Sequence, residues 1–282
     1  MLELILAAAL LGPPDFPQDT AFAVREGDRL VLRDFTGDVE VEGWDRSELW
    51  AEAEDDDDVV FRLTRSGSEI ELSVLDRRNR NRVEELRLAL PVWMDLEVRG
   101  PKLDVEIRGM RSEVSVRNLK GDILLRDLAG RVDASTVEGS IDAVGLRGTA
   151  RLETGDDDIR VIDSGASLEL ESLSGNVELI QTTGTAIRAR TTEGDVDFTG
   201  TLSPGGDYAF RSHGGDLTLT LEPPVDAEVS VLVYEGEFES DFPIRTRGFR
   251  SGHEFEFVLG NGGVRLLLEA FDGEVTLLRG DG

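Results

Sequence analysis

The sequence contains no cysteine and only two histidines among its 282 residues. The absence of cysteine excludes disulfides, thiolate metal sites, cysteine nucleophiles and a lipid anchor on cysteine. His213 and His253 are far apart in the chain, which argues against a histidine-rich metal site. Aromatic residues make up only 6%, whereas glycine occupies 31 positions, a balance typical of a chain with many turns and a thin core.

Positive charge is also scarce, because 30 Lys and Arg residues face 58 Asp and Glu residues. The resulting net charge of -28 repels phosphate groups, so nucleic acid is excluded as a partner. The same charge disfavours direct docking on anionic lipid.

Long apolar runs are missing except at the start of the chain. Residues 1–12 are mostly apolar and end in small residues, as the core of a signal peptide does, although Glu3 stands where a basic residue is usual. We therefore predict a signal peptide and linker over residues 1–19, and a periplasmic or extracellular protein. A buried strand or helix over the same apolar segment is the alternative. No segment approaches the roughly 20 apolar residues of a membrane-spanning helix, so we expect no direct membrane span.

A nine-residue repeat dominates the middle of the chain. Each unit begins with a five-residue segment whose second and fourth residues are apolar and whose first and third are nearly always polar, which is the pattern of a half-buried strand. The twelve units begin at Asp95, Asp104, Glu113, Asp122, Arg131, Ser140, Thr149, Asp158, Ser167, Asn176, Ala186 and Asp195. A fixed repeat of this kind favours a coiled parallel stack over a meander of hairpins.

The turns between these strands carry two further signals. Glycine closes many units at the ninth position, and an apolar residue recurs at the seventh: Met110, Leu119, Leu128, Val137, Leu146 and Leu173. Alternate turns share a Thr/Ser-x-x-Gly pattern, as in Thr136–Gly139 and Ser172–Gly175. The alternation indicates two strands per coil.

The charges of the residues at the outward third position distinguish a coil of 18 residues from a coil of 27 residues. With 18 residues, one ladder reads Asp133, Arg151, Glu169, Arg188 and the other reads Asp142, Arg160, Glu178, which places opposite charges on neighbouring strands. With 27 residues, Arg160 would instead meet Arg188. We predict an all-β, single-stranded parallel β-solenoid with about 18 residues per coil and irregular capping strands at both ends.

The strict repeat is confined to residues 95–199. Strand patterns without fixed spacing precede it over residues 20–94, where we predict an N-terminal β cap, and follow it over residues 200–282, where we predict C-terminal coils and a cap. Irregular ends block edge-to-edge polymerisation of a solenoid.

Three segments that follow one another in this order along the chain resemble a known family. They are Thr36-Gly-Asp-Val-Glu-Val-Glu-Gly-Trp-Asp45, Gly236-Glu-Phe-Glu-Ser-Asp-Phe-Pro243 and Phe271-Asp-Gly-Glu-Val-Thr-Leu277, together with the repeated turn motif. The chain is similar, over roughly residues 20–279, to a bacterial family of unknown function made of adhesin-like β-strand repeats, related to auto-transporter adhesin heads. The resemblance implies export, an envelope-associated role such as adhesion or stress response, and no known catalytic residues.

Acidic clusters are the candidate metal sites. Asp55–Asp58 and Gly155–Asp158 offer the oxygen ligands that calcium prefers. The glycines are too sparse for a calcium-binding roll, so solvated turns are the preferred interpretation and we expect no metal and no cofactor.

Outward carboxylates raise the alternative of a glycan-active β-helix enzyme, a lyase or hydrolase. Glu106, Asp142, Glu178 and Asp197 share one predicted sheet face, but Arg160 stands among them and no aromatic platform accompanies them. His213 lies in a turn and is not part of a recognisable catalytic triad. The preferred hypothesis has no catalytic residues.

One apolar row stands out on the outward face. In 18-residue coils Val144, Ile162 and Ile180 stack at the fifth position of one sheet, and exposed apolar stripes often mark interfaces. A loop or terminal segment covering these side chains is the alternative. We predict a non-catalytic, adhesin-like scaffold or binding module, with an unidentified protein or cell-surface partner and weak self-association along this stripe.

Overall fold

The computed structural model describes residues 15–16, 19–54, 59–75, 78, 80, 82–244 and 254–280. Within these residues the regular secondary structure is β-strand, and no α-helix occurs. The strands are β1 Asp15–Phe16, β2 Asp19–Ala23, β3 Arg29–Leu32, β4 Thr36–Trp44, β5 Glu48–Glu54, β6 Val60–Ser66, β7 Glu69–Leu75, β8 Arg82–Pro91, β9 Asp95–Gly100, β10 Lys102–Arg108, β11 Val114–Asn118, β12 Ile123–Arg126, β13 Ala129–Thr136, β14 Ile141–Val144, β15 Arg147–Thr154, β16 Ile159–Ile162, β17 Ser167–Ser172, β18 Val177–Thr182, β19 Ala186–Thr191, β20 Val196–Gly200, β21 Asp207–Gly214, β22 Leu217–Leu221, β23 Ala227–Glu235, β24 Phe238–Ser240, β25 Glu254–Leu259, β26 Val264–Asp272 and β27 Val275–Arg279.

The strands form two sheets, and the chain alternates between them strand by strand from β8 to β25. The first sheet has the strand order β1-β6-β7-β3-β9-β11-β13-β15-β17-β19-β21-β26-β23-β25, and the second has the order β2-β5-β8-β4-β10-β12-β14-β16-β18-β20-β22-β27-β24. From β9 to β22, successive strands of each sheet pair in parallel. The predicted all-β architecture with parallel sheets is confirmed.

The register follows the repeat in the middle of the chain. Leu96 pairs with Val114 in the first sheet, and Ile141 pairs with Ile159 in the second, so partners are 18 positions apart. The spacing lengthens to 19 positions where Leu168 pairs with Ile187. The charge ladder Asp133, Arg151, Glu169, Arg188 therefore runs along one sheet, whereas Arg160 lies in the other.

The core is the layer between the two sheets. The apolar second and fourth residues of the repeat point into this layer, and those of β11, Val114 and Val116, have no exposed surface. Aromatic rings fill the core near the C-terminal end, where Phe198 packs against Tyr208 and Phe210. The buried Tyr208 hydroxyl donates to the Gly184 carbonyl at 2.6 Å, so its own hydrogen-bonding capacity is used within the core.

Both ends of the stack depart from sequence order in the same way. At the N-terminal end the coil of β3 and β4 lies between β7–β8 and β9–β10, with parallel pairing on both sides. At the C-terminal end the coil of β26 and β27 lies between β21–β22 and β23–β24. Antiparallel strands finish both sheets at the N-terminal end and the first sheet at the C-terminal end, where they interrupt the parallel edge. The second sheet ends at β24, which pairs in parallel with β27. The domain boundaries at residues 94 and 199 stay predictions.

The Thr/Ser-x-x-Gly turns form one long side of the roll, which we call the hydroxyl corner. The Thr or Ser side chain points inward and donates to a carbonyl of the preceding coil: Thr154 Oγ1 to Gly139 O at 2.8 Å, and Thr191 Oγ1 to Gly175 O at 2.8 Å. Gly139 has a φ of 147°, and a Cβ there would lie 2.2 Å from the Gly121 carbonyl oxygen. Glycine is required at this position because the coils approach too closely for a side chain.

The opposite side of the roll, which we call the αL corner, is built differently. One residue in each turn adopts a left-handed conformation: Gly109, Asp127, Gly145, Asp163 and Gln181, with φ between 50° and 73°. The residue that follows it points into the core, as Met110, Leu128 and Leu146 do. Glycine and aspartate tolerate this conformation better than most residues, which accounts for their presence here.

Candidate functional site

The predicted stripe consists of neighbours in the second sheet. Val144 pairs with Ile162, and Ile162 pairs with Ile180, in the parallel strands β14, β16 and β18. All three side chains are half-buried. The row continues through Thr199 and Thr220 to Leu278. The structure thus brings the three residues together, and their role in binding stays a prediction.

The outward carboxylates of the second sheet lie in the adjacent row. Asp142, Arg160, Glu178 and Asp197 are consecutive neighbours across β14, β16, β18 and β20. Arg160 Nε lies 2.9 Å from Glu178 Oε2, so this carboxylate is held in an ion pair. The partial loss of water on the crowded strand face, together with the carboxylates of Asp195 and Glu178, raises the pKa of Asp197.

Glu106, the remaining acid of this set, lies at a shallow depression of about 130 Å³ near β4, β8 and β10. Trp50, Arg87 and Arg108 also line the depression. Glu106 Oε1 accepts hydrogen bonds from Arg108 at 2.5 Å and from Arg126 at 3.1 Å. A general acid must present a proton to its substrate, and a carboxylate held by two guanidinium groups is poorly arranged for that task.

The acidic turns serve the backbone. Asp158 Oδ1 accepts the amide hydrogen of Asn176 at 2.7 Å, and equivalent bonds join Asp122 to Ser140 and Asp195 to Asp216. This ladder explains why Asp or Asn follows the turn glycine so often. In the portion of the chain that the structure describes, no group of three or more His, Asp or Glu side chains is arranged to hold a metal ion. Asp55–Asp58 lie outside the described residues, as does His253.

The hydroxyl corner exposes apolar side chains that the sequence pattern grouped with buried ones. The residue after each inward Thr, Ser or Asn points to solvent, and Leu119, Val137 and Leu173 are 56%, 50% and 54% exposed. Met110, Leu128 and Leu146 occupy the same repeat position at the αL corner and are buried. At the αL corner the residue before each of these side chains has a positive φ, as Asp127 does, whereas at the hydroxyl corner it is an inward Thr, Ser or Asn.

His213 belongs to this exposed row and not to a catalytic triad. Its ring stacks on Phe271 at 4.5 Å, and Phe271 contacts Tyr234 at 5.2 Å between ring centroids. Phe271 and Tyr234 were missed from the sequence because their strands, β26 and β23, are neighbours in space but 37 residues apart in the chain. The shared aromatic-acid-glycine pattern of Tyr234-Glu235-Gly236 and Phe271-Asp272-Gly273 is the signal that aligns them.

The fold defines a two-sheeted, β-solenoid-like protein whose distinctive surfaces are rows of side chains that cross successive coils. The chain belongs to the Toastrack DUF4097 family, whose model matches residues 28–278. The family has no established function, and the resemblance inferred from the sequence motifs is confirmed. Among the described strands and turns, no helix is long and apolar enough to cross a bilayer.

Three solved structures are similar to the chain at low identity. A "putative cell adhesion protein" from Clostridium sporogenes is 10% identical, with a TM-score of 0.29 over 94% of this chain and 100% of its own. A "putative lipid binding protein" from Parabacteroides distasonis is 10% identical, with a TM-score of 0.42 over 96% and 99%. A "putative adhesin" from Bacteroides fragilis is 11% identical, with a TM-score of 0.33 over 95% and 100%. No curated protein matches the chain.

Proposed function

We propose that this protein is an exported, non-catalytic binding module that acts through the apolar stripe of Val144, Ile162 and Ile180. The observation that carries the proposal is the in-register stacking of these three half-buried side chains on one sheet face. A row of apolar side chains across consecutive strands offers a partner a continuous contact that the charged remainder of the surface does not.

The ion pairs beside the stripe support a binding role over a catalytic one. Glu178 and Glu106 are held by arginines on the same sheet. Arg160 and Glu178 neutralise each other directly beside Ile162 and Ile180, and a polar rim beside an apolar row is the usual organisation of a protein interface. The partner is a protein or cell surface, and a second copy of the chain binds only weakly because each copy carries a charge of -28.

The stripe is tested by Ile162→Asp, which places a charge at its centre. We expect the variant to lose self-association in sedimentation velocity at high salt and to lose retention on the surface of the producing cells, with an unchanged β-sheet signal in circular dichroism. Thr220→Asp is the matched control, because Thr220 lies in the same row but is separated from Ile180 by the strand that carries Thr199. Association that survives Ile162→Asp contradicts the proposal.

Export is tested by fractionating cells that produce the native chain with a C-terminal tag. We expect the protein in the periplasm, the envelope or the medium. Recovery in the cytoplasm contradicts the exported part of the proposal and leaves the stripe to be judged on its own test.

A further inference from the structure

The C-terminal end of the hydroxyl corner carries an exposed aromatic row flanked by acids. Tyr234, Phe271 and His213 occupy the same turn position on three adjacent strands, and Tyr234 and Phe271 are 49% and 42% exposed. Of the seven exposed large apolar side chains in the described residues, five lie on the hydroxyl corner. We call Tyr234, Phe271 and His213 the aromatic row.

One flank of the aromatic row has negative charge with no partner. Glu235 and Asp272 are direct neighbours on β23 and β26. On the next strand Gly214 pairs with Asp272, and Glu193 lies in the turn on the far side of Gly214. All three side chains are exposed, and within the described chain none of them forms an ion pair. Like charges directly opposite each other on neighbouring strands cost stability, so the arrangement of Glu235 and Asp272 is not explained by the fold.

The other flank of the row is internally neutralised. Arg211 Nε lies 2.8 Å from Glu269 Oε2, and Arg190 bonds to Glu171. The arginines on this flank are therefore already paired with carboxylates of the same sheet. The contrast leaves an aromatic surface with uncompensated carboxylates on one side, and aromatic faces attract cations by their quadrupole.

We propose that the aromatic row and its carboxylate flank form a docking site for a basic polypeptide segment, whose Arg or Lys side chains lie over the rings and pair with Glu235 and Asp272. A second copy of this chain does not fit, because it would bring the same carboxylates and a net charge of -28 to the site. Neighbouring strands lie about 4.8 Å apart and alternate residues of an extended chain about 6.8 Å apart, so two basic side chains on one side of the segment fall within the width of the three strands. This surface is separate from the stripe, so the site stands or fails independently of the proposed function.

The test measures binding of a fluorescent 12-residue peptide of alternating Arg and Ser to the full chain by anisotropy. The variant Glu235→Gln with Asp272→Asn removes the charges and keeps the rings. We expect about three- to tenfold weaker binding, as the loss of two exposed ion pairs predicts. The control Asp156→Asn with Asp157→Asn removes two exposed acids from the same corner, away from the rings, and should change the affinity by less than about twofold.

A second variant, Phe271→Leu, keeps an apolar side chain and removes the ring. We expect about threefold weaker binding with an unchanged thermal melt. Equal losses in the two charge variants would reveal nonspecific attraction and overturn the proposal. So would full affinity in Phe271→Leu, equal binding of a Gln-Ser peptide, or retention on a neutral oligosaccharide in place of the basic peptide.

Discussion

The two corners of the roll use the same repeat position in opposite ways. At the αL corner a residue with positive φ, such as Asp127, turns the chain so that Leu128 closes the core. At the hydroxyl corner an inward Thr or Ser bonds to the preceding coil, and the next residue, such as Val137, faces solvent. One corner therefore completes the hydrophobic core, whereas the other displays a row of side chains along the molecule.

The largest expected effect comes from matched alanine substitutions at the two corners. Leu128→Ala should lower the free energy of unfolding by about 2–5 kcal/mol, because it opens a cavity in a closed core. Leu119→Ala, nine residues earlier in the sequence, should change it by less than about 0.5 kcal/mol. Urea denaturation measures both, and equal losses would break the distinction between the corners.

A second pair of substitutions compares the turn glycines. Gly139→Asn should cost about 2–3 kcal/mol, since its φ of 147° is closed to side chains and a Cβ would meet the Gly121 carbonyl. Gly145→Asn should cost about 1 kcal/mol or less, because its φ of 73° belongs to the region that Asp127 and Asp163 already adopt. Thermal unfolding of the two variants provides the measurement, and a tolerated Gly139→Asn would contradict the close approach of coils.

The hydroxyls of the two corners are the third comparison. Thr154→Val removes a 2.8 Å hydrogen bond to the Gly139 carbonyl and should destabilise the fold by about 1 kcal/mol. Thr182, at the αL corner, is fully buried and its Oγ1 has no hydrogen-bond partner. Thr182→Val should therefore leave stability unchanged or raise it by about 1 kcal/mol. Urea titrations measure both variants. Destabilisation of similar size in both would show that the hydrogen bonds of the hydroxyl corner do not stabilise the fold.

The strand face between the corners gives the smallest effect. The pKa of Asp197 is raised by partial loss of water and by neighbouring carboxylates, so its ionised form opposes folding at neutral pH. Asp197→Asn should raise stability at pH 7 by about 0.5 kcal/mol, since the site is exposed to solvent. The gain should fade as the pH falls through the folded pKa and vanish below the ordinary value of 3.8.

The control for this prediction is Asp133→Asn in the first sheet. Asp133 lies beside Arg151 and not beside another acid, so its removal should bring no gain at pH 7. A gain of equal size in both variants would trace the effect to net charge alone.

Much of the stack follows from local pattern. The inward second and fourth residues, the parallel sheets and the neighbours Asp142, Arg160 and Glu178 are all readable in the repeat. The order of the end coils cannot be predicted from the repeat, because no motif near β26 indicates that this strand inserts between β21 and β23. That insertion is what joins Phe271 to Tyr234, so the aromatic row depends on a long-range pairing that a nine-residue pattern does not encode.

The difference between the corners was only half visible in the sequence. The Thr/Ser-x-x-Gly motif marked one corner, but Leu119 and Leu128 looked alike because both are leucines at the seventh position. The deciding feature is the residue before them, Asn118 or Asp127. Asn118 is buried and donates to the Leu103 carbonyl at 2.6 Å, whereas Asp127 adopts a φ of 53°. Backbone conformation at one residue thus decides whether the next side chain is core or surface.

The absence of cysteine permits the most direct test of the two-corner account. Single substitutions Leu119→Cys and Leu128→Cys would each introduce the only thiol in the chain, and its reaction with a thiol reagent under native conditions reports exposure. We predict that the thiol from Leu119→Cys reacts at the rate of a free thiol, whereas the thiol from Leu128→Cys reacts only when the protein is unfolded. Comparable native rates for the two variants would contradict the account.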